Sequence, residues 1–285
     1  MLGSYAIGYI SGLYSIYHSP KSRRLKTEIW LALSRFTFLA LLDHYFGFRI
    51  KHARFLGFRV EFNNFQEFFS LFSLIFVHRA YYFESAEKQP FIIDGGSNIG
   101  LSILFFKHIH PRARICGFEP APASFDLLQR NVRANSLQEV TLNQNALFDQ
   151  EQEMEIIVPR DRPACPGVSI FPEILSGVKS EKDKIKVKAV PLSSYVTGPV
   201  DFLKLDIEGA EDWVLRELAG KNRLKMVRQI IMEYHHHTEP GREKLADLLK
   251  LLEDNGFGYQ LHANCLPLAR KNALQGILIY AYQKK

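Results

Sequence analysis

The stretch Phe91-Ile-Ile-Asp-Gly-Gly-Ser-Asn-Ile-Gly100 restricts the fold more than any other part of the chain. Three apolar residues, two of them β-branched, suit a buried strand that ends on the carboxylate of Asp94. Gly95 and Gly96 follow, where a positive φ or a close approach by a ligand carries the least steric cost. Ser97 and Asn98 then offer oxygens to cap an apolar helix from Ile99 to Ile109, which Pro111 closes. Strand, glycine turn and helix N-terminus together make a cradle. It presents backbone N–H groups to a ligand's carboxylate or phosphate, and Asp94 to a cationic or hydroxyl group.

From Phe91 onward, strand and helix patterns alternate. Strand 114–118 runs into Glu119-Pro120 and a helix over 123–134, and strand 140–144 leads into Asn145-Ala146-Leu147. Strand 200–205 ends in Asp206-Ile-Glu-Gly-Ala-Glu211 before a helix that reaches Leu218, with Gly220 as its stop. Strand 227–232 ends in Glu233-Tyr-His-His-His237, a helix covers 241–254, and strands 259–263 and 276–282 close the chain. This alternation implies βαβ units and a mostly parallel sheet. Ligands of such sheets bind outside the carboxyl ends of the strands, so Asp94, Glu119, Asn145, Asp206 and Glu233 are expected to share one edge. The rhythm breaks once, where strands 154–158 and 185–190 flank a Pro/Gly-containing loop over 160–180. A long loop inside a compact domain tends to be either disordered or functional, and this one is the candidate for a substrate lid.

The N-terminal part is different in kind. Residues 1–20 show no clear period, a helix is expected over 27–45, and Phe48 to Phe62 reads as a hairpin or two short strands around Gly57. Phe68, Phe69, Phe72, Ile75 and Phe76 fall at helical spacing over 65–83, with Asn64 as cap, and read as core. Of the net charge of +6, most lies before residue 91, where 11 Lys and Arg face 6 Asp and Glu. With no long basic run and no nucleic-acid module, that surplus reads first as solvated surface. The apolar run Ile29 to Leu42 is too short to span a bilayer. A core-facing helix is its first reading, and a membrane-surface helix beside Lys21, Arg23, Arg24 and Lys26 its second. Cys116, Cys165 and Cys265 are few and scattered, which indicates a reduced, cytoplasmic protein without structural zinc.

Two common ligands fit the cradle poorly. A dinucleotide fingerprint needs glycine where Ser97 stands, between Gly95 and Gly100, and Asp94 would repel a pyrophosphate; no Gly-Lys-Ser/Thr follows the turn. A ligand with a cationic centre, one carboxylate and a ribose fits better. Asp94 can face the cation, the helix N-terminus near Asn98 the carboxylate, and Glu119 both ribose hydroxyls. S-adenosylmethionine has that pattern.

The segments Ile92-Ile-Asp-Gly-Gly-Ser-Asn-Ile-Gly-Leu-Ser102, Gly117-Phe-Glu-Pro120, Asn145-Ala-Leu147, Val200-Asp-Phe-Leu-Lys-Leu-Asp-Ile-Glu-Gly-Ala-Glu211 and Glu233-Tyr-His235 resemble, in that order, the FkbM-type methyltransferases. The resemblance covers residues 60 to 285, and Lys-Leu-Asp-Ile-Glu-Gly-Ala-Glu is its most specific block. It implies a class I, Rossmann-like α/β fold with a seven-stranded, mostly parallel sheet and helices on both faces, over 61–285. It also implies methyl transfer from S-adenosylmethionine, usually to a hydroxyl. By matching positions, Asp94, Gly95, Gly96, Asn98, Gly100 and Glu119 hold the cofactor, Asn145 and Ala146 lie near the adenine, and Asp206 lies near the reactive end. Gly95-Gly96-Ser97 departs mildly from the commoner branched-Gly-Ala run. Residues 1–60 form an extension outside the match, helical and β in character.

Asp206-Ile-Glu-Gly stands where amino-nitrogen methyltransferases carry Asn/Asp-Pro-Pro-Tyr/Phe, which disfavours adenine or glutamine N-methylation, and the acceptor that the resemblance implies is a hydroxyl. Asp206, Glu208, Glu233 and His235 are the candidates to take its proton, and His235 alone has an ordinary pKa near neutrality. Mg²⁺ between Asp206 and Glu233 is the lesser alternative, one carboxylate per strand end being few ligands. His236 and His237 read as loop residues. The expected activity is O-methylation of a small molecule, glycan or lipid-linked metabolite. The alternatives are a non-catalytic module docked through residues 1–60 on a membrane or partner, and an RNA methyltransferase, for which the charge alone speaks.

Overall fold

A computed structural model describes residues 2–47, 49–171, 174, 179–236, 244–263 and 275–284. The expectations at His237 and Cys265, and for the start of the 241–254 helix, lie outside these residues.

Helices α1 (Leu2–His18) and α2 (Arg23–Phe46) open the chain, followed by the hairpin β1 (His52–Phe55) and β2 (Phe58–Glu61). The helix α1 shows no sequence period because both its faces carry apolar residues, Ile16 buried in the core and Ile7, Ile10, Tyr14 and Tyr17 exposed, and small or polar residues fill the remaining contacts. A Cβ at Gly12 would meet Leu33 Cδ2 at 2.7 Å, and Tyr9 Oη lies 2.9 Å from Ser34 Oγ. Asn64 caps α3 (Phe65–Phe72) by accepting from the Glu67 N–H at 3.1 Å. The turn then widens to a π-helical segment, Ser73–Val77, and stops short of the expected Phe83. Phe36, Phe62, Phe68, Phe72 and Phe76 are fully buried, and Phe62 stacks on Phe68 with centroids 4.3 Å apart. This aromatic core is continuous with Ile92, Phe105 and Phe106 of the sheet domain, and position 60, the expected domain boundary, falls inside the hairpin, paired with Ala53.

The sheet domain follows the expected alternation: β3 (Phe91–Gly95), α4 (Leu101–Ile109), β4 (Arg114–Phe118), α5 (Pro122–Ala134), β5 (Val140–Asn143). After β6 (Ala146–Phe148), β7 (Gln152–Pro159) and β8 (Lys182–Pro191) come β9 (Phe202–Leu205), α6 (Glu211–Gly220), β10 (Gln229–His236), α7 (Leu245–Asp254), β11 (Phe257–Ala263) and β12 (Gln275–Gln283). Seven strands form the main sheet in the order β11-β12-β10-β9-β3-β4-β5, and β12 runs antiparallel to both neighbours. Successive residues of β3 and β9 feed opposite cores, Ile92 and Phe202 on one face, Ile93 and Leu203 on the other. A sheet buried on both faces needs continuous apolar strands, which is how these segments read. The two strands that broke the rhythm pair with each other, and β8 pairs with β6 on its other side, in a separate sheet, β6-β8-β7.

Candidate active site

The chain leaves β3 toward β4 and returns on its other side through β9, so the strand order reverses beside β3. A crevice therefore opens at the carboxyl ends of β3, β4 and β9. The glycine turn closes its base. Gly96 has φ +80°, and a Cβ there would lie 1.8 Å from the Asp206 carbonyl oxygen, so only glycine lets the β3 turn touch the end of β9. The expected cap is corrected here: α4 starts at Leu101 behind Gly100 (φ +94°), without a side-chain cap. Ser97 instead donates to the Asp94 carbonyl at 3.0 Å. The Asn98 N–H, expected to meet a ligand carboxylate, donates to Glu119 Oε2 at 2.9 Å, and the Ala121 N–H donates to Glu119 Oε1 at 2.9 Å. Glu119 is thereby fixed in orientation, while burial, opposed by these two N–H groups, pushes its carboxyl up to about 7.

Asp94 is wholly buried, and its charge is met from inside the protein. Lys204, 2% exposed in the middle of β9, places Nζ 3.3 Å from Asp94 Oδ1 and 3.8 Å from Asp206 Oδ2. The same ammonium donates to the Gly95 and Gly96 carbonyls at 3.1 and 2.7 Å, and Ser102 donates to Asp94 Oδ2 at 2.5 Å. Burial works against the Lys204 charge, but the Asp94 and Asp206 carboxylates outweigh it and hold its pKa above the ordinary lysine value. This modifies the expectation that Asp94 faces a ligand cation: its near partner is Lys204, and together they brace the turn.

The acids after β9 and on β10 converge, but not all on the crevice. Asp206 Oδ2 accepts from Tyr81 Oη at 3.0 Å. Glu208 sits at φ +57°, a left-handed conformation uncommon for glutamate and of the kind found at functional sites. Its Oε2 lies 2.9 Å from His235 Nε2, while His235 Nδ1 lies 3.2 Å from Glu211 Oε1. Glu211 is itself pinned by the Ile207 and Gly209 N–H groups at 3.1 Å. Burial disfavours the imidazolium, yet Glu211 and Glu208 overcome it and raise the His235 pKa well above its ordinary value. A histidine held between two carboxylates keeps its proton, which runs against the expectation of a general base. Burial raises Glu208, with His235 opposing, and burial followed by the Asp206 charge takes Glu233 up to about 7.

Strand β10 extends four residues past its expected end because β12 continues the ladder where β9 stops: Glu233 pairs with Leu278, His235 with Gly276 and His236 with Gln275. Glu233, His235 and His236 are therefore strand residues, which corrects the loop reading of His236. The Glu233 side chain lies over Gly276, where a Cβ would come within 2.5 Å of its Oε1.

Gly96, Asn98, Glu119, Asn145, Ala146, Asp206 and Glu208 line the crevice, together with the unforeseen Tyr81, Ser102 and Lys204. Asp94, Gly95, Gly100, Glu233 and His235 stand behind that wall. Lys204 interrupts an otherwise apolar strand, Phe202-Leu203-Lys204-Leu205, and that interruption was the legible signal; nothing local marked Tyr81. Part of the 160–180 loop forms a roof: Cys165 to Ile170 line the crevice, Ser169 donates to the Glu208 carbonyl at 2.5 Å, and Arg162 pairs with Glu67 at 2.7 Å. Burial pushes the free Cys165 thiol up to about 11, so it is no nucleophile at neutral pH. Among the described residues, the set with metal-ligand spacing is Asp206, Glu208 and His235, whose donor atoms lie within 4.8 Å of one another. This differs from the expected pair Asp206 and Glu233.

The methyltransferase FkbM domain family matches residues 94–259, from the acid of the glycine turn into β11. The chain belongs to the FkbM methyltransferase family. It is similar to the methyltransferase sdnD of Sordaria araneosa, at 29% identity over 214 residues that cover 66% of this chain and 81% of that protein. It is also similar to the 31-O-demethyl-FK506 methyltransferase FkbM of Streptomyces tacrolimicus, at 24% identity over 214 residues, 66% of this chain and 80% of that protein. Among solved structures, methyltransferase FkbM from Methylobacillus flagellatus KT aligns with 96% of this chain and 58% of its own, at 13% identity and a TM-score of 0.48. This FkbM-family chain is a methyltransferase, and its sheet order, reversing beside β3, is the Rossmann-like arrangement that the resemblance implied. The matched segment spans every acid of the crevice and leaves residues 1–93, with Tyr81, outside it.

Proposed function

We propose that this FkbM-family enzyme transfers a methyl group from S-adenosylmethionine to a hydroxyl of a small-molecule, glycan or lipid-linked acceptor. The observation that carries the reading is the placement of Glu119: buried, fixed by two backbone N–H groups, one strand along from Gly96, across the crevice from Asp206. Its oxygens retain lone pairs for ribose hydroxyls, and a glycine-walled base admits a close-lying ligand. Phe118, Ala146 and Leu147 supply an apolar slot for a planar base, with Asn145 at its edge.

The cofactor supplies an activated methyl group on a good leaving group, and the chain's own residues align the acceptor and take up its proton. Asp206, braced by Tyr81 and Lys204, orients the acceptor hydroxyl. Glu208, on the wall with a raised pKa, accepts the proton at Oε1 or Oε2; His235 and Glu211 position it from behind. Glu233 and His235 act through these neighbours rather than on the acceptor. The roof from Cys165 to Ile170 excludes water.

Calorimetry with S-adenosylmethionine should give micromolar binding to the wild type and none to Glu119→Ala. No binding to the wild type sinks the cofactor assignment. Tritiated-methyl transfer to fractionated cell extract should label an alkali-stable methyl ether, at a rate reduced at least a hundredfold in Glu208→Gln with cofactor affinity unchanged. Full transfer by that variant removes Glu208 as the base.

A further inference from the structure

A second cleft, of about 750 Å³, shares no lining residue with the active-site crevice. Arg35 of α2, Arg54 and Arg59 of the hairpin and Arg130 and Arg133 of α5 surround it, over a floor that includes Phe36 and Val60. Glu61 is the acid on its wall, and Arg130 already engages it at 3.0 Å. Among the described residues, Arg35, Arg54, Arg59 and Arg133 form no ion pair with a carboxylate. Arg54 and Arg59 are direct partners across β1 and β2, an opposition of like charges that costs stability. The arrangement is rigid: Asn135 accepts from the Arg59 N–H at 2.8 Å and donates to the Arg59 carbonyl at 2.7 Å, and Asn131 holds Glu61 in the same way at 2.7 and 2.9 Å. Arg35 also donates to the Arg54 carbonyl and lies over the Phe36 ring, 4.8 Å from its centroid; an anion between the five arginines would relieve their repulsion.

The surface beside the cleft is apolar. Nine of the twelve large hydrophobic side chains exposed among the described residues belong to α1 and α2. On α1, Ile7, Ile10, Tyr14 and Tyr17 are 65–76% exposed, and at about 100° per residue they fall within one stripe. That helix carries no Asp, Glu, Lys or Arg. On α2, Leu31, Phe38 and Tyr45 recur every seven residues, and Arg35 of the cleft lies about a sixth of a turn away. Arginines and an apolar stripe are thus neighbouring faces of one helix, with exposed Arg23 and Arg24 at its start.

We propose that this face docks on an anionic bilayer, with the arginine cleft seating lipid phosphates and the α1 and α2 stripes entering the interfacial layer. No described helix is long and apolar enough to cross a membrane, so the contact is peripheral. Single-stranded nucleic acid would use the arginines and aromatic rings but gain little from Ile7, Ile10 and Leu31. The proposal is independent of the cofactor and acceptor assignments, because its test involves no methyl transfer.

The full chain is sedimented with phosphatidylcholine vesicles, with and without phosphatidylglycerol. Binding is expected to the anionic vesicles, weakened about thirtyfold by Arg54→Ala with Arg59→Ala, and about tenfold by Leu31→Ser with Phe38→Ser. The arginine variant should melt no lower than the wild type, because like-charge opposition has been removed. No binding to either vesicle overturns the proposal, as does binding that both variants retain. If oligonucleotide RNA binds through the arginines while the Leu31/Phe38 variant keeps wild-type vesicle binding, the face is a polyanion site and not a membrane dock.

Discussion

Replacing Lys204 with methionine keeps the volume of the side chain and removes its charge, so the loss should be almost wholly electrostatic. The ammonium is 2% exposed and sits 3.3 Å from a carboxylate with no exposure at all, and it also satisfies the Gly95 and Gly96 carbonyls. Removing one member of a buried pair leaves the other uncompensated, at about 3–5 kcal/mol. Urea unfolding followed by tryptophan fluorescence should show that loss. Asp94→Asn in the same background removes the stranded charge, and the double variant should be more stable than the sum of the two single losses by about 1–3 kcal/mol. A Lys204→Met variant within about 1 kcal/mol of the wild type, or strictly additive losses, would refute Lys204 as the counter-ion of the turn.

Gly96→Ala should cost roughly 3 kcal/mol or more, or abolish folding, because its Cβ would strike the Asp206 carbonyl at 1.8 Å from a backbone at φ +80°; the soluble yield and the urea midpoint report it. Tyr81→Phe strips a hydrogen bond from Asp206 Oδ2 and should lower stability by about 1–3 kcal/mol, with methyl transfer reduced more than cofactor affinity. Glu233 rises from 4.5 to about 7 on folding, so the folded state holds a proton that the unfolded chain has shed. Its stabilisation is complete below pH 4.5 and lost as pH rises toward 7, and Glu233→Gln should flatten the decline in urea midpoint over that window.

The central elements were readable because each reports its own surroundings. Neighbouring residues such as Ile92 and Ile93, or Phe202 and Leu203, are both apolar since both faces of the sheet are covered, and Gly96 was marked by the backbone contact it must permit. Less was readable where contacts run between distant segments. The helix α1 has no amphipathic period to find, and the length of β10 depends on β12, forty residues later.

The same division runs through the site. By itself the sequence determined the alternating α/β order, the glycine turn and the set of acids at the strand ends, because residue type and spacing suffice for those. Only the tertiary structure decided what each acid meets. It gave Asp94 a buried lysine, Glu119 two backbone N–H groups and His235 a carboxylate on either side, and it set Glu208 rather than His235 on the wall. Charge and burial depend on neighbours brought together across the fold, so the same carboxyl group can be a brace, a ligand or a base according to what faces it.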